Sequence, residues 1–303
     1  MTGVQTCALP ICFEQAESAM LHDAFIRALS KAGKSPSDID MVMCGDLLDQ
    51  CVGSCFALKD LEMPFVGMYG ACSTMALTLC NACFAVDAGA NTVAVGASSH
   101  FASSERQFRF PLEYGGQRPQ TSQWTVTGAG AAVVQNPKTA AESEKGSPHI
   151  SAVHIGTITD LGIKDANNMG AAMAPAAART IGGFLSDTGT SPDDYDMIVT
   201  GDLGYTGSTL LYELIKREYG VDIRSVHKDC GLMIFDLEEQ DVHSGGSGCG
   251  CSASVLCSYL LGEMNKGRLH KILFTATGAL MSPTSCKQGQ PIPGIAHSVL
   301  IEI

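Results

Sequence analysis

The sequence predicts a duplicated α/β fold, and three observations lead to this prediction. Residues 35–47 return as residues 191–203, a constant 156 positions later, and eight of the thirteen positions are identical. Each copy follows a run with helical spacing and reads as a turn, a short apolar strand and a Gly-Asp corner. Apolar strands that alternate with helices are typical of parallel-rich sheets covered on both faces. We therefore expect two βαβ-rich halves packed as a five-layer αβαβα core.

The first half is predicted to span residues 13–136. It opens with an amphipathic run over 13–32, which ends at Gly33, a residue type that commonly stops helices. The repeated strand comes next, followed by a glycine-flanked turn that contains Cys72. The remaining predicted elements are a helix over 76–88 and strands over 92–97 and 128–134.

The second half is predicted to span residues 149–303, after a polar linker over 136–148. It carries about 23 extra residues between Leu203 and Gly245, because its Gly-Asp corner and its cysteine turn are further apart. Its opening strand, 149–158, has no counterpart in the first half. We therefore expect that the first strand of the first half is missing and that residues 1–12 are a non-native leader.

The composition narrows the class of protein. The net charge is −12 and no block of Lys or Arg occurs, which argues against nucleic acid as a partner. No apolar run reaches the roughly 18–20 residues of a membrane span. Several of the thirteen cysteines lie in apolar helical runs, which indicates buried free thiols and a reducing, intracellular compartment. Neither a phosphate-binding loop nor paired metal-ligand spacing is present, so we expect no cofactor and no metal.

Cys72 is the candidate nucleophile. It follows Gly70-Ala71 and precedes an apolar helical run, so backbone N–H groups and the helix dipole are expected to favour its thiolate. A similar phrase, Cys249-Gly250-Cys251, occurs at the corresponding place in the second half. The repeat predicts that the two turns belong to one site.

These features resemble the thiolase and ketoacyl-synthase superfamily, and more narrowly the stage V sporulation protein AD family. The resemblance runs from about residue 13 to the C-terminus. The phrases that carry it are Gly70-Ala71-Cys72-Ser73-Thr74, Ser98-Ser99-His100, Glu105-Arg106-Gln107-Phe108-Arg109, His227-Lys228-Asp229-Cys230-Gly231 and Gly245-Gly246-Ser247-Gly248-Cys249.

The resemblance implies a thiolase-like fold and a sporulation protein that binds dipicolinic acid, with calcium as a companion of the ligand. It implies the soluble subunit of a membrane transport complex that takes dipicolinate into the forespore, alongside integral membrane subunits. It also implies a homodimer that lies peripheral to the forespore membrane. No acyl-transfer activity is implied.

The alternative function is an acyl-thioester transferase or condensing enzyme that uses Cys72. Ketoacyl synthases complete the site with a His near the Gly-Asp corner of the second half and an Asn in its glycine-rich loop. This sequence has Asp202 and Cys249 at those places, so both partners are absent. We therefore interpret Cys72 as part of a ligand pocket rather than as an established nucleophile.

The predicted pocket receives the two carboxylates of dipicolinate at the ends of the two helices that follow the cysteine turns. Nearby cations and histidines are the further candidates, each of which has a structural role as its alternative. The candidate ligand contacts are Cys72, Ser73, His100, Arg106, Arg109, Lys228, Cys249, Gly250, Cys251 and His297. Asp46 and Asp202, which are equivalent in the repeat, are expected to share a structural role at their corners.

Overall fold

The computed structural model describes residues 13–108, 117–139 and 146–303. The predicted leader and Arg109 lie outside these residues. The helices are α1 (Phe13–Lys31), α2 (Val52–Leu58), α3 (Thr74–Asp87), α4 (Phe101–Phe108), α5 (Met169–Thr188), α6 (Gly204–Tyr219), α7 (Cys230–Met233), α8 (Cys249–Ser254), α9 (Leu261–Asn265) and α10 (Pro283–Lys287). The strands are β1 (Met41–Gly45), β2 (Phe65–Gly67), β3 (Thr92–Ser99), β4 (Trp124–Thr125), β5 (Gly128–Gln135), β6 (His149–Ile155), β7 (Met197–Thr200), β8 (His227–Asp229), β9 (Gly246–Ser247), β10 (Lys271–Ala279) and β11 (Gly294–Glu302).

The strand order confirms the duplication. The first sheet has the order β2-β1-β3-β5, and the second has the order β6-β11-β10-β7-β8. Strands β1 and β3 therefore correspond to β7 and β10, and the two closing strands β5 and β11 correspond to each other. Within the described part of the chain, β6 has no counterpart in the first sheet.

The sheets are more mixed than the predicted parallel-rich sheets. β1 pairs in parallel with β2 and β3, and β7 pairs in parallel with β8 and β10. The closing strands are antiparallel to their neighbours β3 and β10, and β6 is antiparallel to β11. An antiparallel neighbour needs no crossover helix, and that is why the alternation of strands and helices did not reveal it.

Three apolar clusters show the predicted five layers. One joins α1 and α2 to the first sheet, and a second joins α5 and α6 to the second sheet. The third cluster lies between the sheets and contains the buried faces of α3 and α8. The helices that begin at the two cysteine turns are thus the central layer, in contact with each other.

The extra residues of the second half lengthen its outer helix. α6 has 16 residues, whereas the equivalent α2 has seven. The remaining extra residues form α7 and the loop that leads to β9. This insertion brings β9 beside β4, where Trp124 and Gly246 pair in parallel.

Candidate pocket around Cys72

A strained turn places Cys72 at the start of the central helix α3. Ala71 has a φ of 50°, in the left-handed region that residues with a side chain rarely adopt. The hydroxyl of Ser73 donates to the carbonyl of Gly70 (2.6 Å), and that of Thr74 donates to the carbonyl of Ala71 (2.7 Å). These bonds hold the turn closed. Gly278 of β10 packs directly beneath it, since a Cβ there would lie 2.4 Å from the carbonyl oxygen of Gly70.

The thiol of Cys72 lies against a buried carboxylate. Asp202 follows β7 and accepts hydrogen bonds from the Gly248 N–H (2.8 Å), the Ser247 hydroxyl (3.2 Å) and the Thr277 hydroxyl (3.0 Å). The Cys72 thiol is its fourth donor. Burial raises the pKa of Asp202, and these four hydrogen bonds oppose the rise.

The predicted thiolate at Cys72 is wrong. Burial and then the Asp202 carboxylate raise the pKa of the Cys72 thiol well above its usual value, although Ser247 and the Gly248 N–H lower it. The helix dipole that motivated the prediction acts on a group that is 5% exposed, so desolvation of the charged form outweighs it. Cys72 is therefore a neutral thiol that donates to Asp202.

Cys72 lines a pocket between the two halves. The space free of protein atoms amounts to about 390 Å³, part of which is open to solvent. Six apolar residues form most of its wall: Leu47, Ala71, Phe108, Met169, Ala279 and Met281. The polar side chains that line it are Tyr69, Cys72, Ser104, Thr125 and Ser247.

Comparison with known proteins identifies the family. Residues 6–302 match the family model described as stage V sporulation protein AD (SpoVAD). The stage V sporulation protein AD of Bacillus subtilis (strain 168) is 44% identical over 292 residues, which cover 96% of this chain and 83% of that protein. The chain belongs to the SpoVAD family. It is therefore a member of a family of sporulation proteins.

Solved structures similar to this SpoVAD-family chain are condensing enzymes with a thiolase-like fold. An OleA variant of Xanthomonas campestris superposes with a TM-score of 0.62 at 12% identity, over 94% of this chain and 81% of that one. The 3-oxoacyl-[acyl-carrier-protein] synthase III of Aquifex aeolicus superposes with a TM-score of 0.56 at 14% identity, over 94% and 84%. At these identities the similarity confirms the predicted thiolase-like fold.

The second cysteine turn of this SpoVAD-family chain does not reach the pocket. The thiol of Cys249 donates to the carbonyl of Ser98 (2.9 Å), and that of Cys251 points at the carbonyl of Gly201 (3.8 Å). The Gly250 N–H donates to the Ser99 hydroxyl (3.2 Å). The predicted pocket members Ser73, Cys249, Gly250 and Cys251 are all buried, and none of them lines the pocket. Of the residues predicted at the two cysteine turns, only Cys72 does so.

The predicted cations lie elsewhere. The Arg106 guanidinium pairs with Glu14 on α1, and 60% of its side chain is exposed. Lys228 is exposed on the edge strand β8. Neither residue lines the pocket. Arg109 lies outside the described residues and directly follows Phe108, which does line the pocket.

Both predicted histidines are hydrogen-bonded parts of the scaffold. His100 Nδ1 accepts from the Ala102 N–H (3.2 Å), and burial lowers the pKa of this half-buried ring. His297 Nδ1 accepts from the Gly156 N–H (3.3 Å), and burial lowers the pKa of His297 to about 4. Both rings are therefore neutral at pH 7, and neither one lines the pocket.

The two repeat-equivalent aspartates have diverged. Asp46 stabilises its own corner, where it accepts from the N–H groups of Leu48 (2.8 Å) and Ser54 (2.7 Å). In the second half, the N–H of Leu203 donates to Asp229 instead (2.8 Å). The predicted shared role is therefore wrong for Asp202, because Asp229 has taken over the corner and left Asp202 to bind Cys72.

Sequence reasoning missed the polar residues behind the pocket wall. Thr125 lines the pocket and donates to the buried carboxylate of Glu105 (3.0 Å), as Ser247 does to Asp202. A signal for Asp202 was present, because it occupies the place where the superfamily resemblance puts a catalytic His. No comparable signal marked Glu105 or Thr125.

The described residues contain neither a metal-binding cluster nor a helix that could span a membrane. Residues 13–108, 117–139 and 146–303 contain no group of three or more His, Cys, Asp or Glu side chains arranged to hold a metal ion. Every helix within these ranges is too short or too polar to cross a bilayer.

Proposed function

We propose that this protein binds dipicolinate in the pocket beside Cys72 and supports its uptake into the forespore as the peripheral subunit of a membrane transport complex. The observation that carries the proposal is the hydrogen bond from the Cys72 thiol to Asp202, because it turns the superfamily's nucleophile into a neutral part of a pocket wall. The apolar walls of Phe108, Met169 and Met281 suit a flat aromatic ring. Membership of a sporulation family supports the biological setting.

Calorimetry with dipicolinate and picolinate tests the proposal. We expect dipicolinate to bind at least about tenfold more tightly, since picolinate lacks one carboxyl group and leaves its partners in the pocket unpaired. Cys72→Ser is expected to change the dissociation constant by less than about threefold, because a serine hydroxyl can also donate to Asp202. Equal affinities for the two acids would contradict recognition of two carboxyl groups.

The alternative, an acyl-thioester transferase that uses Cys72, has one specific observation in its favour. The strained Ala71 turn presents Cys72 at the start of a central helix, as nucleophiles are presented in other folds. Incubation with acyl-CoA and mass spectrometry of the Cys72 peptide separates the two functions. Acylation of Cys72 would favour the transferase, whereas saturable dipicolinate binding without acylation favours the carrier.

We also propose that the protein forms a homodimer through strand β2. β2 is an edge strand whose three residues are all exposed, and Phe65 and Val66 leave apolar surface there. Its sequence, Phe65-Val66-Gly67, carries no charge that would block pairing with a second strand. Integral membrane subunits and calcium are the further partners that we propose from the family resemblance.

Val66→Lys is expected to convert the dimer to a monomer, because a lysine on each copy places like charges across the paired edge. Size-exclusion chromatography with light scattering measures this change. Tyr205→Lys is the control, because Tyr205 is exposed on α6 and lies outside the sheet. A Val66→Lys protein that keeps the wild-type mass would rule out this interface.

A further inference from the structure

The direction in which the lining side chains donate their hydrogen bonds bears on the protonation state of the ligand. Three of the five polar side chains that line it already direct their protons at buried carboxylates. Ser247 donates to Asp202 (3.2 Å), the Cys72 thiol donates to the same group, and Thr125 donates to Glu105 (3.0 Å). These three side chains therefore have only lone pairs left to offer a ligand.

One buried hydroxyl supplies the complementary group. Ser104 on α4 lines the same pocket and is 3% exposed, and its Oγ has no hydrogen-bond partner among the residues that the structure describes. A buried hydroxyl without a partner is costly, and rotation about χ1 lets it donate to a ligand. The pocket thus combines three acceptors with one buried donor, Ser104, and the fifth polar group is the hydroxyl of the exposed Tyr69.

The charges around the pocket match this polarity. No Lys, Arg or His occurs among the lining residues that the structure describes. The groups that face Asp202 from the elements packed against it are also acidic or neutral. They are Cys72 on α3, Asp229 on β8, Cys230 on α7, and Cys249 and Cys251 on α8.

We infer that the ligand carboxyl group that reaches Cys72 is bound as the protonated acid and not as the carboxylate. A carboxylate only accepts hydrogen bonds, so it would face three acceptors, whereas a carboxylic acid also has one O–H to donate. In this arrangement the acid O–H donates to the acceptor wall of Cys72, Ser247 and Thr125, and its carbonyl oxygen accepts from Ser104. The inference rests on the proposed function and concerns only the carboxyl group that reaches Cys72.

The inference predicts that binding takes up a proton from solvent. We expect calorimetry near pH 7, in phosphate and in Tris with a chelator present, to show uptake of about one proton per dipicolinate bound. Because carboxylic acids are ionised at this pH, the affinity should rise about tenfold for each unit of pH decrease between about 8 and 6. Neither result is expected if the carboxylate binds as an anion.

Two pairs of variants locate the effect. Asp202→Asn frees the protons of Cys72 and Ser247 to turn toward an anionic ligand, so proton uptake should fall and affinity at about pH 8 should rise about tenfold. Asp46→Asn is its matched control, because Asp46 is the repeat equivalent and binds no lining residue. Ser104→Ala should weaken binding about tenfold. Ser103→Ala should not, since the Ser103 hydroxyl donates to Glu17 and to the carbonyl of His100.

Several outcomes would overturn the inference. Binding of dipicolinate without proton uptake would contradict the inference. Binding that requires calcium would also contradict it, because calcium and not a proton would then contact the lone pairs of Cys72, Ser247 and Thr125. Loss of binding in Arg109→Gln together with a pH-independent wild-type affinity would show that a guanidinium neutralises the ligand instead. If the wild-type protein binds no dipicolinate at any pH, with or without calcium, the proposed function itself is wrong.

Discussion

Replacing Asp202 with Asn is expected to increase the alkylation rate of Cys72 by iodoacetamide at least about tenfold near pH 8. The reason is electrostatic. The thiolate is the reactive form, and in the folded protein it would form in a buried site against the Asp202 carboxylate. Two like charges about 4 Å apart cost roughly 4 kcal/mol at an effective dielectric constant of about 20. Removal of the carboxylate relieves most of that cost.

The measurement is the rate of carbamidomethylation of the Cys72 peptide by mass spectrometry. Cys55, an exposed cysteine on α2, provides an internal reference within the same sample. Asp46→Asn is the matched control, because it removes the repeat-equivalent carboxylate and leaves the hydrogen bonds to Cys72 intact. If Cys72 in the wild-type protein reacts as fast as Cys55, or if Asp202→Asn changes nothing, then Asp202 does not suppress the thiol.

The turn around Cys72 keeps its geometry although the thiolate is disfavoured. The turn that presents Cys72 persists with its left-handed residue at Ala71, so the geometry of a nucleophile is intact. A carboxylate at position 202 disfavours the thiolate, which a neutral or cationic imidazole at the same place would favour. The fold can therefore keep a cysteine at this turn while its thiolate is disfavoured.

The sequence was sufficient to predict the architecture because the duplication left local signals in both halves. Ser35-Pro36 and Ser191-Pro192 each begin a capped turn that leads into a buried strand, and the Ser side chain bonds the Asp three residues later in both copies. Cys72 was found by the same local reasoning, since a glycine-flanked turn before an apolar helix can be read directly from the chain.

The partners of Cys72 could not be predicted in the same way. Asp202 was expected to stabilise its own corner, as Asp46 does, but Asp229 at the end of β8 takes that role. Arg106 was a candidate ligand contact, and its pairing with Glu14 joins residues 92 positions apart. Contacts of this kind depend on how the elements pack, and a single sequence carries no signal for them.

A buried carboxyl group on α1 is expected to make the stability of the protein depend on pH. α1 buries Leu21 and Phe25 against the first sheet, and Glu17 lies on the same face with no exposed surface. Its carboxylate accepts from the hydroxyls of Ser98 and Ser103 (3.0 Å each). Burial, and then the nearby Asp46, raise the pKa of Glu17 from 4.5 to about 7.

The direction of the effect follows from the raised pKa. The folded protein binds the Glu17 proton more tightly than the unfolded chain does, so this stabilisation is complete below pH 4.5 and is lost as the pH rises through about 7. The shift corresponds to roughly 3 kcal/mol between those limits. Glu17→Gln removes the titration, and we expect it to raise the free energy of unfolding by about 1–3 kcal/mol near pH 8 and to leave little change near pH 5.

Urea denaturation of both proteins between about pH 5 and pH 8.5 measures this dependence. Glu14→Gln is the matched control, because Glu14 lies one turn earlier on α1 and its carboxylate pairs with the exposed Arg106 instead of being buried. Its stability curve should run parallel to that of the wild type. Asp46 remains in Glu17→Gln. A pH slope that survives in this variant would therefore show that Asp46 holds the proton in the folded protein and that Glu17 is ionised there.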